Sequence, residues 1–106
     1  MGRIVWTDSA LANLKSYRDY LFERAPLTAD RFIGKLVSSV NRLETFPLSG
    51  MPVPEFRNLE IRQVIFEGFR ILYYIYEGDC HIGAVIHGSR DLIRHVDPTT
   101  WAKRPD

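Results

Sequence analysis

Five residues in the second half of the sequence carry side chains that could act on a phosphodiester. They are Arg62, Arg70, Tyr74, His87 and Arg90. Arginine can stabilise the negative charge that develops on a phosphorane, and histidine or tyrosine can give or take a proton. Residue types alone leave a second interpretation open, in which the same residues form a solvated polar face without catalytic activity. Both interpretations predict that these residues lie on the open face of a sheet.

The elements that would position them are three apolar runs between Leu59 and Leu92, rich in Ile, Val, Tyr and Phe. Glu67-Gly68 and Gly78-Asp79 separate the runs, which is the pattern of consecutive strands joined by tight hairpins. A glycine at the first central position suits a type II′ turn, so we predict a two-residue loop at Gly78-Asp79.

This loop determines which residues face each other across the second hairpin. Tyr73 would face Ala84 on an apolar core face, since cross-strand apolar pairs fix the register of a hairpin. The opposite face would carry Arg70 directly across from His87, with Tyr74 on the same side. The sequence therefore predicts one core face and one face that presents basic and aromatic side chains.

The position of Arg62 depends on the length of the first loop. A two-residue loop at Glu67-Gly68 would place Arg62 on the core face beside Tyr73, where burying a charged side chain is costly. A loop that is one residue longer would place it opposite Tyr74, on the face of Arg70. The desolvation cost favours the longer loop and predicts that the two arginines share a face.

The first half of the chain is predicted to form a short strand and two amphipathic helices. The strand is residues 3–6, and apolar side chains at three- and four-residue steps predict a first helix from Ser9 to Arg24. Ala25-Pro26 ends this helix, and a second helix is expected to begin near Thr28. The predicted fold class is α+β, in the order β-α-α-β-β-β, with a helical hairpin packed on one face of a mainly antiparallel sheet.

Length and composition predict a single domain over residues 1–106. The domain ends in a tail, residues 93–106, and we expect Trp101 of this tail to dock on the rest of the domain. The net charge of +1 does not argue for nucleic acid, although most of the 14 basic residues are arginine. No apolar stretch is long enough to span a membrane. A single cysteine, Cys80, excludes an internal disulfide and a cysteine metal cluster. We expect a cytoplasmic protein that uses no cofactor, no metal and no membrane.

Several of these motifs, in this order and spacing, resemble the RelE/ParE superfamily of bacterial toxins. The resemblance spans roughly residues 3–92 and is carried by Trp6-Thr7, Phe46-Pro47, Gly50, Arg62, Gly68-Phe69-Arg70-Ile71-Leu72-Tyr73 and His87-Gly88-Ser89-Arg90-Asp91-Leu92. It implies the toxin of a type II toxin–antitoxin pair, held inactive by a cognate antitoxin protein.

The resemblance leaves two cellular targets open. RelE-like members cut mRNA on the ribosome, using basic residues on the sheet and a C-terminal tyrosine or histidine–tyrosine pair. In that case Arg62, Arg70 and His87 are the expected catalytic residues, with Tyr74 and Arg90 in binding. The tyrosine after the last strand is absent, since the sequence continues with residues 90–93 as Arg-Asp-Leu-Ile, and residues 55–74 contain no lysine.

ParE-like members share the fold, lack that nuclease set and inhibit DNA gyrase. The missing tyrosine and lysines therefore favour the ParE-like function. A third alternative is a degenerate toxin without catalysis, retained as a module that binds its partner.

Overall fold

The structure, a computed structural model, describes residues 2–101 and contains helices packed on a five-stranded mixed sheet. The sheet order is β1-β5-β4-β3-β2, with β1 parallel to β5 and the other neighbours antiparallel. The elements are β1 Ile4–Trp6, α1 Asp8–Arg24, α2 Pro26–Ser38, β2 Met51–Pro52, β3 Ile61–Phe66, β4 Phe69–Tyr76, β5 Asp79–His87 and α3 Leu92–His95. The predicted fold class and the order of the predicted elements are confirmed, with the two-residue β2 and the four-residue α3 as additions.

Local sequence explains where the helices begin and end. Thr7 caps α1, its side-chain oxygen accepting from the Ala10 backbone N–H at 3.2 Å. Pro26 is the first residue of α2, a position where its missing N–H costs no hydrogen bond. The second helix therefore begins two residues before the predicted Thr28. It ends at Ser38 and is followed by a 3-10 helix at Asn41–Glu44.

Both hairpins turn on the dipeptide Glu-Gly. Glu67 and Gly68 have φ of 47° and 83°, and Glu77 and Gly78 have φ of 49° and 83°. Two consecutive positive φ values indicate a type I′ turn, whose twist matches that of paired strands. The second loop is therefore Glu77-Gly78, one residue earlier in the chain than the predicted Gly78-Asp79. The first loop is Glu67-Gly68, one residue shorter than predicted.

Asp79 belongs to β5 instead of the turn. It pairs with Tyr76, and its carboxylate accepts a hydrogen bond of 2.9 Å from the backbone N–H of Arg3. The shift of the turn and the β-bulge further along β5 together change the later partners, so that Arg70 pairs with Ile86 and His87 pairs with Phe69. The predicted Arg70–His87 pair is wrong.

A β-bulge at Gly83 divides β5 between the two faces of the sheet. Tyr73 pairs with Ile82 and Leu72 pairs with Ala84, so Gly83 has no partner on β4. The extra residue reverses the alternation of side chains. Ile82 therefore faces the helices, whereas Ala84 lies on the opposite face, contrary to the predicted Tyr73–Ala84 pair.

The sheet is buried on both faces, which corrects the predicted open face. The helix face packs against α1, α2 and the segment after α2, and its buried residues are Ala10, Leu14, Leu36, Val40, Leu43, Val64, Phe69, Ile71, Tyr73, Cys80, Ile82 and Val85. The opposite face, called here the second face, has the buried residues Val53, Ile61, Leu72, Tyr74, Ala84, Ile86, Leu92 and Trp101. Chain segments before β3 and after β5 thus cover the face that was predicted to carry the site.

Residues 92–101 provide much of this cover. They contain α3 and a 3-10 helix at Pro98–Thr100, and the predicted docking of Trp101 is confirmed, because its ring stacks on Tyr74 at 5.2 Å. A Cβ at Gly83 would lie 2.6 Å from the Trp101 ring, so this site needs glycine for close approach. Residues 102–106 of the predicted tail lie outside the described residues.

Helix α1 completes the hydrogen bonding of β5 where β1 ends. Strand β1 pairs only with residues 80–82 of β5. Beyond them, the Val85 N–H donates to Asn13 Oδ1 at 3.0 Å and the His87 N–H donates to the Tyr17 hydroxyl at 3.1 Å. Ser9 donates to the Gly83 carbonyl at 2.7 Å. Polar side chains at four-residue steps on α1 therefore replace a strand at this edge.

Within residues 2–101, no helix is long and apolar enough to cross a bilayer, and no group of His, Cys, Asp and Glu is placed to hold a metal ion.

Replacing Asn13 by Ala should leave the Val85 N–H without a partner and lower the free energy of unfolding by about 1–2 kcal/mol. The loss is expected although alanine is the better helix former. Amide hydrogen exchange at Val85 and urea unfolding measure it. Asn13→Asp keeps an oxygen acceptor and should retain most of the protection at Val85. Equal exchange rates in the two variants would contradict the proposed edge cap.

Candidate functional site

Arg70 lies on the second face and is fully engaged by neighbouring side chains. Two of its nitrogens donate to the Glu55 carboxylate at 2.7 and 2.8 Å, and its Nε donates to Gln63 Oε1 at 2.7 Å. The Arg70 side chain is 15% exposed and that of Glu55 is 30% exposed. All three guanidinium nitrogens therefore have acceptors inside the protein, in the two-pronged geometry that arginine favours with carboxylates.

The ion pair shifts the protonation of both partners. The hydrogen bond from Arg70 holds the pKa of the Glu55 carboxyl below its usual value, and the same bond raises the pKa of the Arg70 guanidinium. Both shifts favour the charged forms, so the pair stays ionised at neutral pH. Arg70 here holds the loop of Glu55 against β3 and β4.

Tyr74 lies at the centre of the second face and is 1% exposed. Its ring is stacked between His81 and Trp101, at centroid distances of 5.3 and 5.2 Å. Its hydroxyl has no hydrogen-bond partner among residues 2–101, and burial raises the pKa of Tyr74. In this arrangement the hydroxyl is closed off from any ligand in solution.

Arg62 lies on the helix face of the sheet, where it pairs with Tyr73 of β4. Its guanidinium donates to the Gly50 carbonyl at 2.9 Å and to the Leu48 carbonyl at 3.3 Å. The Tyr73 hydroxyl holds the same loop, since it donates to the Pro47 carbonyl at 2.7 Å and accepts from the Gly50 N–H at 2.9 Å. The predicted sharing of a face by Arg62 and Arg70 is wrong.

His87 and Arg90 line one groove of about 710 Å³ between α1 and the end of β5. The His87 ring meets Phe69 edge-on at 5.2 Å, and its Nδ1 accepts from the Ser89 N–H at 3.2 Å and lies 2.7 Å from Ser89 Oγ. Because Nδ1 accepts, the neutral ring carries its proton on Nε2. The Arg90 side chain is exposed and makes no hydrogen bond or ion pair with any described residue.

The predicted residues thus divide among three places. Arg70 and Tyr74 are on the second face, Arg62 is on the helix face beside Tyr73, and only His87 and Arg90 share a surface. Tyr73 and Phe69, the β4 partners of Arg62 and His87, are four residues apart, or about 13 Å along the strand. Arg62, Arg70 and His87 cannot contact one phosphate group together in this structure, and their part in catalysis stays a prediction.

Some residues that organise the site were missed at the level of sequence. Glu55 lies in a segment of prolines and gives no pattern that would pair it with Arg70. Asn13 and Tyr17 do follow Ser9 at four-residue steps, a spacing that could have indicated one polar stripe on α1.

Two comparisons of the sequence and one of the structure find related proteins. The family model for the ParE toxin of the type II toxin–antitoxin system parDE matches residues 4–92. Toxin RelE2 of Caulobacter vibrioides is 33% identical over 91 residues, covering 85% of this chain and 99% of that protein. A solved chain of the chromosomal ParDE TA system from P. aeruginosa superposes with a TM-score of 0.70 at 20% identity, covering 82% of this chain and 96% of that one. This last likeness concerns the fold.

The Glu55–Arg70 pair should make stability depend on pH. The pKa of Glu55 is lowered by folding, so its contribution is complete above the unfolded value of about 4.3 and is lost as pH falls through the folded value. At neutral pH, Glu55→Gln should cost about 1–2 kcal/mol of unfolding free energy. The difference from wild type should shrink as the pH is lowered below the pKa of Glu55 in urea titrations. In an Arg70→Ala background the neutral-pH cost of Glu55→Gln should largely disappear, and a cost of unchanged size would contradict the pairing.

Two adjacent buried tyrosines should respond in opposite ways to loss of the hydroxyl. Tyr74→Phe removes a hydroxyl that has no partner in the described part of the chain, and it should leave the unfolding free energy unchanged or raised, within about 1 kcal/mol. Tyr73→Phe removes the bonds to Pro47 and Gly50 and should lower it by about 1–3 kcal/mol. Thermal and urea unfolding of both variants measure the difference, and equal losses would show that the Tyr74 hydroxyl has a partner after all.

Proposed function

Because the chain belongs to the RelE/ParE superfamily of type II toxin–antitoxin toxins, we propose that it arrests growth by acting on DNA gyrase, in the ParE-like manner, and does not cut mRNA. Membership follows from the family match over residues 4–92 and from the 33% identical relative. It implies a cognate antitoxin as the partner of this toxin. The choice of DNA gyrase over mRNA as the target is inferred from the arrangement of the candidate site.

The observation that carries this proposal is the engagement of Arg70. A nuclease arginine must be free to bind the charge that develops on phosphate. Here Glu55 and Gln63 take up all three nitrogens of Arg70, and Arg62 is bound to loop carbonyls on the other face of the sheet. Together with the absent tyrosine after β5, this supports a toxin that acts by binding its target.

A RelE-like endonuclease is the second candidate, and one observation favours it. His87 and Arg90 line the same groove, so one imidazole and one arginine could reach the same phosphate. In that case His87 would exchange a proton and Arg90 would bind the phosphate, while Arg62 and Arg70 would contribute only after leaving their present partners.

One induced culture, assayed in two ways, separates the candidates. On induction without antitoxin we expect growth arrest with covalent gyrase–DNA breaks and intact mRNA, because the nuclease residues do not converge. Trapped breaks are measured by immunoprecipitating gyrase with its DNA, and mRNA ends by primer extension. A strain with a gyrase variant that resists the toxin is the control for the breaks.

Cut mRNA without DNA damage would overturn the ParE-like proposal. The cleavage should then be lost in His87→Gln and kept in His95→Gln, a matched change at an exposed histidine of α3. Normal growth with neither signal would leave a non-catalytic module that binds its partner.

A further inference from the structure

The Arg70 guanidinium is held by two residues that differ in burial. Its Nε donates at 2.7 Å to Oε1 of Gln63, a residue that is only 7% exposed. Its two terminal nitrogens donate to the two carboxylate oxygens of Glu55, whose side chain is 30% exposed. Gln63 therefore fixes the orientation of the guanidinium, and Glu55 takes up the pair of nitrogens with which arginine binds an oxyanion.

Glu55 belongs to a loop, residues 54–60, that few hydrogen bonds join to the rest of the protein. The backbone hydrogen bonds of this loop within the described chain are local, from Phe56 to Val53 and from Leu59 to Phe56. Phe56 and Leu59 also pack against the second face. In the described part of the chain, the bonds to the Glu55 carboxylate are the only hydrogen bonds between loop 54–60 and a strand of the sheet. Movement of this loop away from the sheet therefore breaks one ion pair and no part of the strand ladder.

Glu55 competes with any external ligand for the terminal nitrogens of Arg70. A group on the same chain is present at a high effective concentration, on the order of millimolar. A free carboxylate offers Arg70 the same two oxygens and the same charge as Glu55, so it cannot displace Glu55 efficiently. A phosphate monoester carries about 1.5 to 2 negative charges at neutral pH and has a third oxygen, so it is the stronger competitor.

We propose that Arg70, oriented by Gln63, is a latent binding site for a phosphate monoester, and that Glu55 closes this site from within the chain. In the closed form the Glu55 carboxylate stands in the place of two phosphate oxygens. In the open form loop 54–60 lies away from Arg70, and Gln63 still orients the guanidinium towards the ligand. The inference goes beyond the proposed function and does not depend on which target the toxin acts on.

The test measures binding of inorganic phosphate to the purified full-length protein at neutral pH and constant ionic strength, by following the Arg70 Nε–H resonance in an NMR titration. Glu55→Ala should bind phosphate at least about tenfold more tightly than wild type, because affinity is reduced in proportion to the fraction of molecules that are closed. Glu60→Ala is the matched control. It removes an exposed carboxylate of the same loop that makes no ion pair within the described chain, and it should change the affinity less than about twofold.

A second substitution separates two-pronged recognition from simple charge attraction. Arg70→Lys keeps the positive charge but lacks the two parallel N–H donors. In the Glu55→Ala background it should remove most of the gain in phosphate affinity, measured on the backbone amide resonances of β3 and β4. Full retention of the gain with lysine would contradict a site built on the fork of Arg70.

Two labelled oligonucleotides of one sequence, with and without a 5′-phosphate, distinguish the sources of the phosphate monoester. Tighter binding of the phosphorylated one to Glu55→Ala would support the end of a nucleic acid as the ligand. Equally weak binding of both, alongside binding of inorganic phosphate, would support a small phosphate monoester. Equally tight binding of both would overturn the inference, because the site would then take phosphodiesters.

Thermal unfolding in chloride establishes that each variant is folded before titration, since loss of the ion pair is expected to lower stability. Glu55→Gln removes the charge and keeps the size, and it takes the place of Glu55→Ala if the alanine variant does not fold. Unchanged phosphate affinity in the folded Glu55 variant would overturn the inference. None of these measurements involves gyrase or growth, so this inference and the proposed function fail separately.

Discussion

Burial of both faces of the β4–β5 hairpin is the constraint on which the rest of this structure depends. The helices cover one face, and the segments before β3 and after β5 cover the other. The bulge at Gly83 makes this possible, because it turns Ala84 to the second face and leaves room for Trp101. Tyr74 then lies between Trp101 and His81, and its hydroxyl has no hydrogen-bond partner among residues 2–101. A sheet enclosed in this way offers no broad open face for catalysis.

Two arginines on interior strands of the enclosed sheet, one on β3 and one on β4, have hydrogen-bond partners inside the protein. Arg70 is held by Glu55 and Gln63, and Arg62 by the carbonyls of the loop at 48–50. Both arginines therefore hold loops, Arg70 through all three guanidinium nitrogens and Arg62 through Nη1. Arg90 is different, since its side chain lines the groove beside α1 and makes no hydrogen bond or ion pair with any residue of 2–101.

Arg62 lies on the helix face, although the cost of burying its charge predicted the opposite face. Burying an arginine among apolar side chains is costly, and that cost favoured a longer first loop. The loop is nevertheless two residues long, because the cost does not arise at this position. The carbonyls of Leu48 and Gly50 accept hydrogen bonds from the Arg62 guanidinium. Those acceptors come from a segment whose path no local pattern of the sequence predicts.

Local patterns of the sequence by themselves determined the elements and the family of this protein. Apolar periodicity, the cap at Thr7 and the Ala25-Pro26 break predict α1 and α2, and the glycines at 68 and 78 predict two tight hairpins, because each signal depends on neighbouring residues alone. The residues that form each turn were not predicted correctly. Only the tertiary structure decided the register, the bulge at Gly83 and the partner of Arg70. These depend on residues far apart in the chain, such as Trp101 against Gly83 and Glu55 against Arg70. A one-residue change of register exchanges the two faces of a strand, so the candidate site could not be placed from local pattern.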